Sequence, residues 1–103
     1  MAAEKQQLSS LVRDVIANQR AVITASESNN LLTKAGRIAR ILVWDVGTTW
    51  TLDVYDHGSA NTNPVWSWVS ADGKGQFDLE IPLGTGLRIV TGGTAGKATV
   101  IYG

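Results

Sequence analysis

The feature that most constrains the fold is a strict alternation of apolar and polar residues in residues 76–82. Phe77, Leu79 and Ile81 lie at every second position, with polar or charged residues between them. Because successive side chains of a β-strand point to opposite faces, this spacing gives one apolar face and one face in water. The segment therefore predicts a half-buried strand that needs a second layer to cover its apolar face.

Similar short segments continue through residues 36–103, separated by turns rich in glycine and asparagine. In residues 50–56, for example, Leu52 and Val54 fall on one side of the strand. The densest glycine cluster, in residues 91–96, suits backbone angles that other residues avoid. Six such segments, or eight with two weaker candidates before residue 36, predict an all-β fold. We expect an antiparallel β-sandwich, jelly-roll-like, around a single core.

The beginning of the chain follows a helical pattern instead. Apolar residues spaced at i, i+3, i+4, i+7 and i+8 predict an amphipathic helix over residues 4 to about 18. Its apolar stripe consists of Leu8, Leu11, Val12, Val15 and Ile16. A helix of about 15 residues is only marginally stable alone in water. The stripe is therefore expected to lie on the sandwich, on a sister subunit or on another protein.

Residues 19–35 form a transition between this helix and the clear strands. Residues 21–25 have the composition of a strand, and residues 26–30 form a polar turn cluster. A flexible arm would show much the same composition. We therefore predict a boundary between residues 35 and 36, with an N-terminal helix and arm for attachment or oligomerisation before it and the β-sandwich domain, residues 36–103, after it.

Composition and charge exclude several classes of function. The 103 residues suffice for one domain with its own core. Nine basic and nine acidic residues give no net charge and no basic patch, so no nucleic-acid partner is expected. The absence of cysteine rules out disulfides and thiolate metal sites. No apolar run approaches the roughly 20 residues that cross a bilayer, and the N-terminus lacks a signal-peptide pattern, so neither a membrane partner nor secretion by the usual route is expected.

Candidate catalytic and metal-binding residues are weak. Asp53, Asp56 and His57 form an acidic and imidazole cluster, but zinc needs more nitrogen or sulfur donors and calcium more oxygen ligands from one loop. We expect this cluster to be a solvated strand end. Asp78 and Glu80 share the solvent face of their strand, as in any half-buried strand, and do not indicate a glycosidase. The sequence predicts no catalytic residue, no metal and no cofactor.

Four tryptophans are many for a chain of this length. Trp66 and Trp68 are two positions apart and share one face of a strand. That face either fills the core, contacts a partner or subunit, or forms a platform for a sugar ring. Core packing is the leading interpretation, and both residues are kept as partner-binding candidates beside the apolar stripe. Trp44 and Trp50 flank a turn and are expected to cap the open end of the sandwich.

Two segments of the chain share a strand-and-turn pattern with known proteins. The first reads KAGRIARILV in residues 34–43 and leads to LDVYD in residues 52–56. The second reads IPLGTGLRIVTGG in residues 81–93 and leads to ATVIY in residues 98–102. Together they resemble small β-sandwich proteins of tailed-bacteriophage particles, found as capsid decoration proteins, head fibres and tail accessories. The resemblance implies a virion structural protein, often trimeric, attached to a capsid or a tail.

The residues and the resemblance lead to one functional expectation. We expect a non-enzymatic component of a phage particle, made in the host cytoplasm and located in the virion. Its leading role is that of a capsid decoration or cement protein, a homotrimer that binds the major capsid protein or another virion protein and stabilises the head. A tail or head-fibre accessory and a carbohydrate-binding host-adhesion module stay open as alternatives, the latter on Trp66, Trp68 and the polar loop 57–63.

Overall fold

The computed structural model describes residues 19–103, which form eight β-strands and one short 3-10 helix. The predicted apolar stripe, residues 8–16, lies outside the described residues. The elements are β1 Gln19–Ile23, β2 Ser28–Leu32, β3 Gly36–Asp45, β4 Thr51–Tyr55, β5 Pro64–Val69, the 3-10 helix Ser70–Asp72, β6 Gly75–Leu83, β7 Leu87–Gly92 and β8 Lys97–Tyr102.

The strands form two four-stranded sheets in which every pairing is antiparallel. Sheet A has the order β1-β8-β3-β6, and sheet B has the order β2-β7-β4-β5. The pairs β1 with β8, β2 with β7, β3 with β6 and β4 with β5 are nested, which is the arrangement of an eight-stranded jelly roll. The predicted all-β antiparallel sandwich is confirmed.

Both sheets include strands from the segment that the sequence pattern left undecided. Gln19 of β1 pairs with Tyr102 of β8, and Ser28 of β2 pairs with Val90 of β7. Residues 19–32 are therefore part of the sandwich, and the boundary predicted between residues 35 and 36 falls inside it. The reason is topological: β1 and β2 pair with β8 and β7, which lie far away in the sequence, so no local pattern reveals the pairing.

The core lies between the two sheets and is built from alternate residues of each strand. Leu52 and Val54 of β4 are fully buried, as their spacing predicts, and Ile41 and Val43 of β3 face them from the other sheet. Fully burying an aliphatic side chain of this kind stabilises a fold by about 1.5–3 kcal/mol. This shared core fixes which face of each strand is left for solvent or a partner.

Two of the four tryptophans, Trp50 and Trp68, are fully buried in the core. Trp50 is fully buried and meets Trp68 edge-on, with ring centroids 5.8 Å apart and planes at 78°. Trp68 also donates from Nε1 to the carbonyl oxygen of Gly73, at 3.0 Å. Trp66 is half-buried and packs on Phe77, which joins the edge strands of the two sheets. Trp44 is 55% exposed.

The leading interpretation of Trp66 and Trp68 agrees with this arrangement, and the prediction for Trp50 is corrected. Trp66 and Trp68 share the inner face of β5, and Trp68 is 1% exposed. Trp68 therefore cannot form half of an exposed partner or sugar platform, whereas Trp66 is only half-buried. Trp50 does not cap the open end of the sandwich but fills its interior, while Trp44 points outward.

Strand β6 keeps its predicted alternation across a β-bulge. The pairing of β6 with β3 shifts by one position between Ile38 and Arg40, and Glu80 has a φ of 51°. The side chain of Glu80 forms an ion pair with Arg37 on the outer face of sheet A. Because both side chains are partly exposed, this pair contributes at most about 1 kcal/mol.

Candidate binding surfaces

The outer face of sheet A carries apolar side chains that do not belong to the core. Val22 of β1 is 60% exposed, and Leu42 of β3 and Ile101 of β8 are half-buried without packing against the core cluster. Thr99 pairs with both Val22 and Leu42, so these residues form a continuous row across three strands. We call Val22, Leu42, Thr99 and Ile101 the outer patch.

Basic side chains border the outer patch. Ile101 lies between Arg20 of β1 and Arg40 of β3 in the sheet register. Nε of Arg40 lies 3.9 Å from Oδ1 of Asp78 of β6, beyond hydrogen-bond distance, so the two side chains form a loose ion pair. An apolar centre with a positive border is complementary to a surface that is apolar and acidic.

Polar side chains on the outer face of sheet B form hydrogen bonds with other side chains of the same chain. The Ser67 hydroxyl donates to the carboxylate of Asp53 at 2.8 Å, across the β4–β5 pair. Arg88 donates to Asn30 at 2.6 Å and to Asn61 at 2.7 Å. These polar groups therefore have hydrogen-bond partners within the chain.

A groove lies beside Trp44, at the loop end of sheet A. Its volume is about 430 Å³, and it is lined by Trp44, Asp45, Val46, Ser70, Gly73 and Lys74. The ammonium of Lys97 lies 5.7 Å from the centre of the Trp44 ring, at cation–π distance. We call this set of six lining residues the Trp44 groove.

Hydrogen bonds hold the walls of the Trp44 groove in place. The carboxylate of Asp45 accepts the backbone N–H of Gly47 at 3.0 Å. The hydroxyl of Ser70 lies 2.7 Å from the carbonyl oxygen of Val46 and 3.1 Å from that of Trp50. The two loops that flank the groove are thus tied together, and the groove is formed without a ligand.

The predicted cluster of Asp53, Asp56 and His57 does not converge on one site. Asp53 contacts Ser67, and His57 Nδ1 accepts the backbone N–H groups of Ser59 and Ala60 at 3.1 and 3.0 Å. These contacts stabilise the β4–β5 pair and its loop. Among residues 19–103, no group of three or more histidine, cysteine, aspartate or glutamate side chains is placed to hold a metal ion.

Asp56 has a structural role that its position in the sequence does not reveal. Its carboxylate accepts the backbone N–H groups of Gly84, Thr85 and Gly86 at 3.0, 2.9 and 3.2 Å. The hydrogen bond from Gly84 lowers the pKa of Asp56, with smaller contributions from Thr85, Gly86 and the charge of His57, while partial burial acts in the opposite direction. Asp56 therefore fixes the β6–β7 loop, which connects the two sheets.

Asp78 and Glu80 lie on the outer face of sheet A, as predicted. Their carboxylates contact Arg40 and Arg37, respectively. This arrangement accounts for both acids as surface ion pairs.

Within residues 19–103, no helix has the length and apolar character needed to span a bilayer.

The comparisons with known proteins add no relative to this description. Neither the protein-family models nor the curated proteins searched match this chain.

The outer patch gives no signal in the sequence of any single strand. Alternation in β3 and β8 separates two faces, but each face contains apolar residues, such as Leu42 on one side and Val43 on the other. The signal that could have revealed it is the row of apolar residues that remains after the buried face of each strand has been assigned to the core. That signal becomes readable only when the pairing of β1 with β8 is known.

Proposed function

We propose that this protein is a non-enzymatic structural component of a bacteriophage particle, a capsid decoration or cement protein that binds the major capsid protein and stabilises the head. The single observation that carries the proposal is the outer patch, an apolar row that lies outside the core cluster of residues 19–103, on a sheet whose opposite face is used by the core. The resemblance of residues 34–103 to phage β-sandwich proteins is the reason for proposing a phage particle, and the jelly-roll topology is compatible with this resemblance.

Stabilisation would come from apolar area buried between this protein and the capsid surface. Each square ångström of apolar area removed from water stabilises the complex by about 25 cal/mol. Much of that gain is offset at each site by lost motional freedom, so a single copy binds more weakly than its area suggests. Many copies bridging neighbouring capsid subunits nonetheless add their contributions when the shell is stressed.

The border of the outer patch gives this contact a preferred chemistry. Arg20 and Arg40 flank Ile101, so a capsid surface with acidic residues around an apolar centre would be steered into register. Such charges act mainly on the association rate and on partner choice. Binding that relies on them should weaken as ionic strength rises.

The apolar stripe of residues 8–16 forms the second part of the proposal. Leu8, Leu11, Val12, Val15 and Ile16 provide an attachment or trimer surface, and the protein acts as a homotrimer. Replacing Leu11 and Val15 with Asp is expected to abolish trimerisation or attachment while the β-sheet circular dichroism persists. A doubly substituted protein that decorates heads normally would remove the stripe from the proposal.

The outer patch is tested by charge substitutions on the two faces of the sandwich. The double variant Val22→Asp, Ile101→Asp should lose co-sedimentation with phage heads assembled without this protein, because it places carboxylates in the apolar contact. Val69→Asp is the matched control, since Val69 is also exposed, at 44%, but lies on sheet B. Equal binding of both variants and the parent protein would refute the patch as the contact.

A tail or head-fibre accessory is the alternative within the same particle. Both roles use an apolar contact on another virion protein, so the outer patch supports them equally. Gold-labelled antibody against this protein separates them: label on the head shell supports decoration, and label confined to the tail or to fibre tips supports the accessory role.

A further inference from the structure

The Trp44 groove differs from the outer patch in its chemistry. Its apolar elements are the exposed indole of Trp44 and the side chain of Val46, and Asp45, Ser70 and Lys74 add polar or charged groups. A volume of about 430 Å³ lies within the range of roughly 300–1,000 Å³ found for small-molecule sites. The groove is formed on hydrogen-bonded loops rather than on side chains that must rearrange, which lowers the cost of binding.

We propose that the Trp44 groove binds an acidic sugar unit of a polysaccharide. The indole of Trp44 offers a flat apolar surface of the size of a sugar ring. The indole ring alone would accept many apolar ligands, so the polar groups around it must define the chemical class of the ligand. This proposal is independent of the capsid contact, because none of the outer-patch residues lines the groove.

The ammonium groups beside the indole indicate that the bound sugar carries an acidic substituent. Lys74 lines the groove, and Lys97 lies over the Trp44 ring. Each ammonium carries three donors and no acceptor, and a carboxylate is the sugar substituent that satisfies them best. The two ammonium groups outnumber the single carboxylate that lines the groove, that of Asp45, whose Oδ1 accepts the N–H of Gly47. The carboxylate of Asp72 does not line the groove and accepts the N–H of Val69 at 2.9 Å.

The remaining polar groups suit sugar hydroxyls. Ser70 directs its hydroxyl hydrogen to the backbone, which leaves its oxygen as an acceptor. The second oxygen of Asp45 can accept as well, because its hydrogen bond to Gly47 uses Oδ1. Hydroxyl donors, a carboxylate and an apolar ring face are together the features of a uronic acid.

The groove is tested by titrating the full-length protein with polygalacturonate and with alginate. Tryptophan fluorescence reports binding, since Trp50 and Trp68 are buried and Trp44 is the exposed indole of residues 19–103. We expect a saturable change with both polymers, reduced by added salt. Fully methyl-esterified polygalacturonate is the matched probe, because it keeps the sugar rings and removes the charge. It should bind at least several-fold more weakly.

Variants assign the binding to individual side chains. Trp44→Leu should weaken binding about three- to tenfold, as expected when an aromatic contact is lost, and isothermal calorimetry replaces fluorescence for this variant. Lys74→Ala should weaken it about two- to fivefold, and Lys74→Arg should retain it. Val22→Asp should bind the polymers like the parent protein, which separates this site from the capsid contact.

Three outcomes would overturn the proposal. One is the absence of saturable binding to either acidic polymer at millimolar sugar units. Another is equal affinity for the esterified polymer, which would exclude recognition of the carboxylate. The third is unchanged affinity in Trp44→Leu and Lys74→Ala proteins that melt at the parent temperature, which would place any binding elsewhere on the chain.

Discussion

The outer faces of the two sheets use the same strand geometry for opposite purposes. On sheet B, Arg88 and Asp53 each find side-chain partners within the chain. On sheet A, Val22 and Ile101 lie on the outer face without such partners and outside the core cluster. Within residues 19–103, polar side chains on the outer face of sheet B are tied together, whereas the outer face of sheet A keeps an apolar row beside its ion pairs. This difference is the reason for placing the proposed contact on sheet A.

The largest effect is expected from the core beneath both faces. Trp68→Ala removes a buried ring and its hydrogen bond to Gly73, so it should lower the free energy of unfolding by about 3–5 kcal/mol. Urea denaturation followed by circular dichroism measures this change. Trp44→Ala, at an exposed ring, should cost less than about 1 kcal/mol. Similar losses in the two variants would contradict the burial described for these rings.

A smaller loss is expected at the connection between the sheets. Asp56→Asn weakens the acceptor of three backbone N–H groups and should cost about 1–3 kcal/mol near neutral pH. Because folding lowers the pKa of Asp56, its contribution is complete above the unfolded pKa of about 3.9 and is lost as the pH falls through the lower folded value. The difference between parent and variant should therefore shrink below about pH 4.

The pH dependence is measured by urea denaturation between pH 2 and pH 7. Asp53→Asn is the matched control, because Asp53 accepts a hydrogen bond from an exposed side chain rather than from three backbone groups. It should cost clearly less than Asp56→Asn at pH 7. A stability difference for Asp56→Asn that stays constant down to pH 2 would show that its carboxylate charge is not what fixes the loop.

Replacing one arginine on each outer face tests whether the two faces contribute differently to stability. Arg88→Ala removes two hydrogen bonds on sheet B and should cost about 1–2 kcal/mol. Arg40→Ala on sheet A removes a loose ion pair at 3.9 Å and should cost less than about 1 kcal/mol. Thermal unfolding of both variants tests this order. A larger loss for Arg40→Ala would mean that sheet A is also stabilised by its own outer face.

The smallest effect on folding is expected in the outer patch. Val22→Ser exchanges an exposed apolar side chain for a polar one and should change the free energy of unfolding by less than about 0.5 kcal/mol. Binding to phage heads should nevertheless weaken in the same variant. A clear loss of stability would indicate that Val22 is covered by another part of the chain, and the face would then not be free.

Much of the sandwich could be predicted because the alternation of single strands is a local property. The inward faces of β4 and β6 follow from Leu52, Val54 and the residues flanking Asp78. The strands β1 and β2 were harder, since Ser28–Leu32 contains the polar residues typical of a turn. Their pairing partners, β8 and β7, lie far away in sequence, so no local pattern reveals them.

The candidate surfaces could not be predicted for a related reason. Alternation places Trp66 and Trp68 on one face but does not say whether that face points inward. Nor does it show that Asp56 meets Gly84, Thr85 and Gly86, which follow it by about 30 residues. These contacts depend on how the two sheets are stacked, and the stacking is set by the whole chain.

The nested strand pairing also has a consequence for how the protein is made. In sheet A, β8 lies between β1 and β3, so among residues 19–103 β1 has no strand to pair with until β8 has been synthesised. Until then, newly synthesised chains hold unpaired strand edges, which favour aggregation. Domains whose strands pair over long distances in sequence fold slowly. Recombinant production should therefore gain from low temperature and slow synthesis, and removal of β8 should yield insoluble chains rather than a smaller sandwich.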